Sequence, residues 1–217
     1  MVTNAPKIQD IISSTGWRLE EKRLFVERAL LSTQRKGIEN VIKFLNDTDF
    51  YYAPASTIFH SNHDNGLLNH SIVVYILGMM NKERYINCDS KLEEKLNDNS
   101  IILTTLLHDI CKCCFYTKEV KWKKDDSSQW QSYIGYNVND VFPIGHGEKS
   151  VIMLQNLGLE LQPDEMLAIR YHMGMWGDGG SEMKYSQNNA IHYSPLVPLL
   201  QISDFEASVI FEPTIKN

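Results

Sequence analysis

Hydrophobic residues recur at helical intervals along most of this chain. The segment 16–45 has an apolar residue at about every third or fourth position, with Gly37 as a break between two helices. After a loop over 48–65, the segment 66–85 has little polar surface, which is typical of a helix at the centre of a fold. Further helices are predicted over residues 90–113, 146–157, 163–172 and 194–211. The pattern therefore predicts a mainly α-helical protein.

One region has a different period. Residues 115–123 and 129–138 alternate polar and apolar positions on either side of the polar stretch 124–128, which predicts a small β-hairpin projecting from the helical body. The segment 174–193 contains four glycines and is predicted to be a loop that could form part of a substrate entrance. Because no repeat, linker or low-complexity tract divides the chain, we expect a single domain over 1–217.

Composition and charge exclude several classes of protein. The 217 residues are 43% hydrophobic and carry a formal net charge of -6, which argues against a surface that coats nucleic acid. No apolar run is long enough to cross a membrane, and the N-terminus lacks the pattern of a signal peptide. We therefore expect a cytoplasmic protein with no membrane partner.

The cysteines do not have the spacing of a zinc site. Three of the four, Cys111, Cys113 and Cys114, lie together in CKCC, with no second cluster to complete a tetrahedral set of ligands. We expect reduced, partly buried thiols and no disulfides.

Histidine and aspartate residues lie in strongly apolar segments. His70 occurs in GLLNHSIVV, Asp109 in ILTTLLHDI, and Asp204 follows PLLQIS. A single histidine in such a position is more often a hydrogen-bonded core residue than a ligand, but a buried carboxylate is costly unless it is paired or bound to a metal. The predicted metal ligands are His70, His108, Asp109, His146, His172 and Asp204.

Lys112 is the predicted contact for a substrate phosphate. It follows His108 by four positions and Asp109 by three, so on a helix its ammonium returns over the same site. Adjacent residues point about 100° apart on a helix, so His108 and Asp109 would flank one cation, and Asp109 could place its second oxygen on another. We predict Asp109 and Lys112 as the catalytic residues, with Lys112 and the outlying His63 as substrate-binding residues.

The order and adjacency of these residues resemble a known superfamily. His70, His108-Asp109 and Asp204 match the H…HD…D signature of HD-domain metal-dependent phosphohydrolases, and HDICK is similar to the common HD-x-x-K form. The resemblance covers roughly residues 53–207. It implies a helical bundle of the HD type, with N-terminal helices at 16–45 and a metal-binding core over about 53–211. Members with two further histidines commonly hold two metals, and His146 and His172 occupy those places.

A narrower resemblance precedes the first ligand. The stretch 50–74 is similar to the HD domains of bacterial exoribonucleases of the YhaM type and of certain conjugative relaxases. In those proteins a PA dipeptide, one or two histidines and a GLL-x-H element follow in order. Here Pro54-Ala55, then His60 or His63, and then residues 66–70 stand in these positions, so which histidine would contact a substrate stays open.

The resemblance implies a mechanism. One cation would be held by His70, His108, Asp109 and Asp204, the other by Asp109, His146 and His172. The two would share a bridging water, whose lowered pKa provides a hydroxide to attack phosphorus. Mn, Fe, Co, Ni and Zn all suit these nitrogen and oxygen ligands. The expected activity is phosphohydrolase or phosphodiesterase cleavage of a phosphorylated small molecule, a nucleotide or a nucleic-acid end.

Other functions fit the same ligands. A di-iron oxygenase of the HD type uses this set on organic substrates, and a non-catalytic nucleotide-binding module is a third possibility. The GYP tripeptide of the cyclic dinucleotide phosphodiesterases is absent after His172. The hairpin aromatics and Glu148 can each be interpreted as structural or as functional residues. Hairpin aromatics, among them Trp122 and Trp130, could stack on bases or cover the core, and Glu148 could orient the His146 ring.

Overall fold

The computed structural model describes residues 16–174 and 181–212. The α-helices in these residues are α1 (Leu19–Ser32), α2 (Ile38–Asp47), α3 (Gly66–Cys88), α4 (Asp98–Leu107), α5 (His146–Asn156), α6 (Pro163–Arg170), α7 (Ser181–Tyr193) and α8 (Leu196–Glu206). Strands β1 (Tyr116–Lys124) and β2 (Trp130–Val138) lie between α4 and α5. The predicted class, mainly helical with a small hairpin, is confirmed, while the assignment to the HD type stays a prediction.

Helix α3 lies at the centre of the bundle. It packs against α1, α4 and α8, and twelve of its 23 residues are buried. At Gly78 an added Cβ would lie 2.8 Å from the Thr105 side chain, so the absence of a side chain lets α3 and α4 approach closely. On its other side Asn81 donates a hydrogen bond of 3.1 Å to Ser203 of α8. The apolar pattern of 66–85 thus does predict the central helix.

A buried ion pair connects the N-terminal helices to the rest of the bundle. Arg35, between α1 and α2, places Nη2 2.6 Å from Oε1 of Glu165 in α6. Ser100 of α4 donates a hydrogen bond of 2.7 Å to the same oxygen. The fully buried Glu165 is therefore paired and hydrogen-bonded, which offsets the cost of removing its charge from water.

The hairpin forms where alternation predicted it. The strands are antiparallel, and their register runs from Tyr116 opposite Val138 to Lys124 opposite Trp130. Tyr136 is buried and its hydroxyl donates to Asp64 at 2.6 Å, whereas Trp122 and Trp130 are 63% and 64% exposed. The two tryptophans therefore do not cover the core, and Tyr136 is a buried aromatic residue of the hairpin that is anchored to Asp64.

Two predicted segments need correction. The predicted loop 174–193 is wrong for Ser181–Tyr193, which forms α7; all four glycines precede Ser181, and residues 175–180 lie outside the described part of the chain. The single helix predicted over 90–113 is wrong as well. The segment consists of a 3₁₀ turn (Ser90–Glu94), α4 and a second 3₁₀ turn (Ile110–Lys112). Helix α4 begins only at Asp98, because the Asn97 side chain caps its N-terminus.

The helix predicted over 194–211 reaches Phe211 but changes type before its end. Helix α8 stops at Glu206, and the chain continues as a π-helical turn over Ala207–Phe211. None of the helices in the described ranges is long and apolar enough to span a bilayer.

Candidate metal centre

Five of the six predicted ligands come from four parts of the bundle. His70 lies on the central helix α3, and Asp204 lies on α8. His108 and Asp109 directly follow α4, and His172 lies in the turn after α6. His70, His108, Asp109 and His172 are at most 3% exposed, and Asp204 is 9% exposed.

The early end of α4 lets two neighbouring residues face one centre. Helix α4 ends at Leu107, and Asp109 has φ -107° and ψ 21°, outside the helical region. The rotation of about 100° between adjacent helical residues therefore does not hold the two side chains apart. Nε2 of His108 lies 3.5 Å from Oδ2 of Asp109.

Three candidate ligand atoms lie close to Nε2 of His70. Nε2 of His70 lies 3.2 Å from Nε2 of His108, 3.2 Å from Oδ1 of Asp204 and 3.7 Å from Oδ2 of Asp109. Ligands at about 2.1 Å from a single cation are separated from each other by roughly 3.0–3.4 Å in octahedral or tetrahedral geometry. Two of the separations are within that range, whereas Nε2 of His108 lies 4.0 Å from Oδ1 of Asp204. His70, His108 and Asp109 form one group that could hold a divalent cation, and Asp204 lies beside it.

The other nitrogen of each imidazole is fixed by an oxygen. Nδ1 of His108 lies 2.9 Å from the carbonyl oxygen of Thr105, and Nδ1 of His172 lies 2.7 Å from that of Ile169. Because a carbonyl oxygen only accepts, the hydrogen must be on Nδ1. This leaves the Nε2 lone pair for a metal, as is usual for histidine ligands.

At His70 a carboxylate has this orienting role. Both oxygens of Glu212 lie 3.3 Å from His70 Nδ1, and the Ser61 hydroxyl donates to Glu212 at 2.6 Å. Glu212 was not predicted from the sequence, because a single Glu after a helix has no spacing that distinguishes it from a solvated residue. The π-helical turn brings it back to α3.

Asp109 reaches a second group of ligand atoms. Its Oδ1 lies 3.5 Å from Nε2 of His172, and both atoms are buried without a hydrogen-bond partner among the described residues. Such orphaned atoms are uncommon in native proteins, and a bound cation would satisfy both. The two Asp109 oxygens thus face different groups, as the prediction of a bridging carboxylate requires.

His146 lies farther from these atoms. It is half-buried at the start of α5, and its Nδ1 lies 3.8 Å from Sγ of Cys111. The groups of described residues with ligand atoms within 4.8 Å of one another are His60-His70-Glu212, His70-His108-Asp109 and His108-His172-Asp204. The structure therefore brings together five of the six predicted ligands, and the role of His146 stays a prediction.

Lys112 lies beside Asp109 as the spacing predicted. Its Nζ is 2.6 Å from Asp109 Oδ2, and the lysine is 8% exposed. Burial alone would lower the pKa of Lys112, but the Asp109 carboxylate outweighs burial and raises it. The ammonium is therefore a fixed positive charge at the centre.

The carboxylates change the protonation of His70. Burial by itself lowers the pKa of His70, but Glu212 and Asp204 outweigh it and raise the pKa to about 10. Burial likewise opposes ionisation of Asp204, yet the imidazole of His70 holds the pKa of this carboxyl well below its ordinary value. Without a metal, a proton on His70 thus occupies the place of a cation between these groups.

A cavity of about 1190 Å³ opens onto the centre. Asp109, Lys112, His146, His172 and Asp204 all line it. Of the two upstream histidines, His60 lines the cavity and His63 is not among the residues found there. The substrate-binding role predicted for His63 thus has no support from its position, where Nδ1 contacts the carbonyl oxygen of Asp64 at 2.9 Å.

His60 is held close to the metal ligands. Its ring centroid is 4.9 Å from that of His70, and Nε2 is buried without a hydrogen-bond partner among the described residues. Burial lowers the pKa of His60 to about 4.

Glu148 forms an ion pair with Arg170, so the prediction that it orients the His146 ring is not supported.

Comparison with models of protein families, with curated proteins and with solved structures found no match for this chain. The description of the site therefore depends on the residues themselves. Buried His and Asp groups of this chain could hold a metal ion.

Proposed function

We propose that this protein is a metal-dependent phosphohydrolase of the HD type that cleaves a phosphoester on a nucleotide, an oligonucleotide end or a related small molecule. The observation that carries the proposal is the cluster of buried ligand atoms from His70, His108, Asp109, His172 and Asp204. Of these residues Asp109, His172 and Asp204 line a large cavity together with Lys112, whose ammonium is bound to Asp109. A cleft with convergent polar groups and shifted pKa values is the usual location of an active site.

The chain's residues divide into two sets of ligands around Asp109. His70, His108, Asp109 and Asp204 would hold one divalent cation, and Asp109, His172 and His146 a second. Such cations, when bound, lower the pKa of coordinated water and polarise phosphoryl oxygens. Mn, Fe, Co, Ni and Zn suit the nitrogen and oxygen donors.

The protein's contribution is orientation and charge. Glu212 and two backbone carbonyls hold three imidazole rings so that Nε2 faces the centre. Lys112, fixed by Asp109, provides a positive charge where charge develops on a phosphoryl group, and it needs no reorganisation during the reaction. The apolar cavity walls keep the local dielectric constant low, which strengthens these interactions.

The proposal is tested by metal analysis combined with a panel of substrates. We expect the purified protein, loaded with Mn, Co, Ni, Fe or Zn, to release phosphate or alcohol from at least one phosphomonoester or phosphodiester. Asp109→Ala should lose both metals and all turnover, and Glu94→Gln on an exposed 3₁₀ turn should change neither. Bound iron without any phosphoester cleavage would favour the oxygenase, and nucleotide binding without turnover would favour the binding module.

The second cation has its own test. His146→Ala should weaken binding of the second metal and leave the first in place, because His146 belongs only to the set around His172. Metal content per chain, measured after exhaustive dialysis, would be one instead of two. If His146→Ala kept two tightly bound metals, the ligand assignment of His146 would be wrong.

A further inference from the structure

One face of the β-hairpin carries an exposed aromatic platform. Alternate residues of a strand point to the same side of a sheet, so the even-numbered residues of β1 and β2 share a face. On this face Val120 lies opposite Ile134, and Trp122 and Trp130 are diagonal neighbours. All four side chains are exposed. The two indoles therefore lie side by side on the surface, next to a valine–isoleucine pair.

The same face packs on the helical body only at the base of the hairpin. There Tyr136 is buried, and the Tyr116 hydroxyl donates a hydrogen bond of 3.2 Å to the carbonyl oxygen of Ala55. Beyond the base, the strands pack against each other and not against the described helices. An isolated two-stranded hairpin is at best marginally stable in water, and uncovered apolar surface is typical of a place where a partner binds.

Positive charge borders the aromatic platform. The even-numbered residues of the two strands include two lysines and no Asp or Glu. Lys118 is paired with Asp64 at 2.8 Å, whereas Nζ of Lys124 lies over the Trp130 ring, 5.5 Å from its centroid. Because salt screens charges more than about 8–10 Å away, a lysine beside the platform affects a partner more than the net charge of the chain does.

The carboxylates of the hairpin lie away from this face. Glu119 is on the opposite face, together with Lys121 and Lys123, and Asp125 and Asp126 are in the turn. The Asp125 carboxylate accepts hydrogen bonds from two backbone N–H groups of the turn. Four lysines and three carboxylates give residues 116–138 a net charge of +1, in a chain whose net charge is -6. The platform is thus a locally basic surface on an acidic protein, which suits an anionic partner.

The face with the platform leads to the cavity at the candidate metal centre. Tyr116 and Val138, which lie opposite each other at its base, both line the cavity. Six residues separate Tyr116 from Trp122, a distance of about 20 Å along an extended strand. Inside the cavity, the Lys112 ammonium and the cations of the proposed function would attract phosphate groups. A chain of phosphates along this face would therefore meet positive charge at both ends.

Two kinds of anionic partner suit lysine and tryptophan on one face. Single-stranded nucleic acid stacks its bases on exposed aromatic rings and places its phosphates beside basic side chains. Anionic membranes also attract lysine and tryptophan, but Asp125 and Asp126 at the tip of the hairpin would be repelled by the headgroups. The path from the platform to the cavity favours a strand, because a strand can follow it and a bilayer cannot.

We propose that this face of the hairpin binds single-stranded nucleic acid, with bases stacked on Trp122 and Trp130 and a phosphate beside Lys124. The strand runs along the face toward the cavity. Binding by the hairpin goes beyond the proposed function, whereas delivery of a strand end to the metal centre rests on it. Of the two roles considered for the tryptophans from the sequence, covering the core is excluded by their exposure, and stacking is the one assigned here.

Fluorescence anisotropy with labelled oligonucleotides tests the surface. A twelve-nucleotide oligothymidylate or oligouridylate should bind the full chain, and the oligothymidylate annealed to oligodeoxyadenylate should bind about tenfold more weakly, because paired bases cannot stack on the indoles. Trp122→Ala and Trp130→Ala should each weaken binding of the single strand about tenfold, corresponding to about 1.4 kcal/mol. Trp122→Phe should restore most of the affinity. The matched control is Tyr185→Ala, which removes an exposed aromatic side chain of α7 and should bind as the wild type does.

The salt dependence of binding tests the phosphate contact. For a single strand, the logarithm of the binding constant falls with the logarithm of salt concentration by about 0.7 for each phosphate that is neutralised. Lys124→Gln should therefore reduce this slope by about 0.7. Lys91→Gln, on the exposed 3₁₀ turn Ser90–Glu94, should leave the slope unchanged. An unchanged slope in Lys124→Gln would remove this lysine from the surface.

Three results would overturn the inference. The first is oligonucleotide binding that both tryptophan variants leave unchanged, because the strand would then bind elsewhere. The second is binding to phosphatidylserine vesicles without binding to oligonucleotides, which would make the face a lipid-binding surface. The third is a dimer in light scattering that Trp122→Ala dissociates, which would make the face an interface between two copies of the chain.

Measurements with and without chelator separate this inference from the proposed function. The hairpin lies outside the sets of metal ligands, so chelation should leave the loss of affinity in the tryptophan variants unchanged. Tryptophan-dependent binding by a protein that cleaves no phosphoester would retain the inference and refute only the proposed function. Phosphoester cleavage without oligonucleotide binding would do the reverse.

Discussion

Nε2 of His70 and Nε2 of His108 lie 3.2 Å apart in a buried site, and each of these nitrogens can carry a lone pair. In the neutral tautomers fixed by their Nδ1 hydrogen bonds, both Nε2 atoms face each other without a hydrogen between them. Such an arrangement is favourable only when a cation, either a proton or a metal, lies between the rings. The same atoms could therefore hold a metal ion in place of the proton on His70.

Lys112→Met isolates the contribution of the ammonium. Lys112 is bound to Asp109 but has no lone pair for a metal when protonated, so metal content should be retained. Turnover should fall by about 10- to 1000-fold, the range for losing one preorganised charge-stabilising group. The comparison requires equal, measured metal occupancy in variant and wild type. Unchanged turnover would exclude Lys112 from the reaction.

Substitutions of the two upstream histidines, His60 and His63, should have opposite effects on activity. His60 lines the cavity with an unpartnered Nε2, whereas His63 contacts a backbone carbonyl outside the described lining. His60→Gln should lower kcat/KM by about tenfold or more, as expected for losing a polar group that contacts the substrate, and His63→Gln should have little effect.

Steady-state kinetics and thermal unfolding of both variants would be compared at equal metal content. A larger loss in His63→Gln than in His60→Gln would restore the interpretation made from the sequence.

Single residues differ in how well the sequence could predict them. His70, Asp109 and Asp204 were recognisable because a charged or metal-binding side chain in an apolar helix needs a partner. Glu212 and His60 could not be found in this way, because both lie in irregular segments without periodicity. Their roles depend on the return of the chain to α3, which no local pattern encodes.

At the scale of elements, the contact between α5 and α6 sets the distance between His146 and His172. A Cβ added to Gly147 would lie 2.1 Å from the backbone oxygen of Arg170, so the start of α5 touches the end of α6. Gly147→Ala must separate the helices and should cost about 1–3 kcal/mol of unfolding free energy, as other overpacked sites do. It should also weaken the second metal.

Gly135→Ala is the matched control for this substitution. There the added Cβ would meet the flexible Lys121 side chain at 2.8 Å, which can move away. Urea unfolding and metal content of the two variants give the comparison. Equal destabilisation by both variants would show that the contact of α5 with α6 is not specific.

Helices and strands can be predicted from the sequence where apolar residues recur with a regular period. The central helix could be predicted from its apolar run, because twelve of its residues are buried. The hairpin could be predicted from alternation and its polar turn, although Trp122, Trp130 and Ile134 are exposed. The early end of α4 at Leu107 was not predictable, since His108 and Asp109 continue an apolar helical pattern. Although the local sequence favours a continued helix, Asp109 is not helical, and its side chain faces the other candidate ligands.

At the scale of the whole molecule, the candidate metal centre lies inside the hydrophobic core. Its ligands are contributed by α3, by the turns after α4 and α6, and by α8, and the core cluster includes buried residues from each of these helices. A cation bound to these ligands therefore connects several helices at once. Because the unfolded chain does not form this site, binding of a metal would be coupled to folding.

This coupling predicts how metal changes thermal stability. At a free metal concentration of about 100 Kd, binding to the folded state adds about 2.7 kcal/mol, which should raise Tm by about 5–10 °C for a chain of this size. Chelation should reverse the rise, and Asp109→Ala should abolish it, because this residue belongs to both ligand sets.

If the chain is one domain, far-ultraviolet circular dichroism and tryptophan fluorescence should report the same midpoint with and without metal. Two separate transitions, of which only one responds to metal, would show instead that the metal-binding helices fold independently of the rest. A Tm in Asp109→Ala that rises with metal as in the wild type would place the cation elsewhere in the protein.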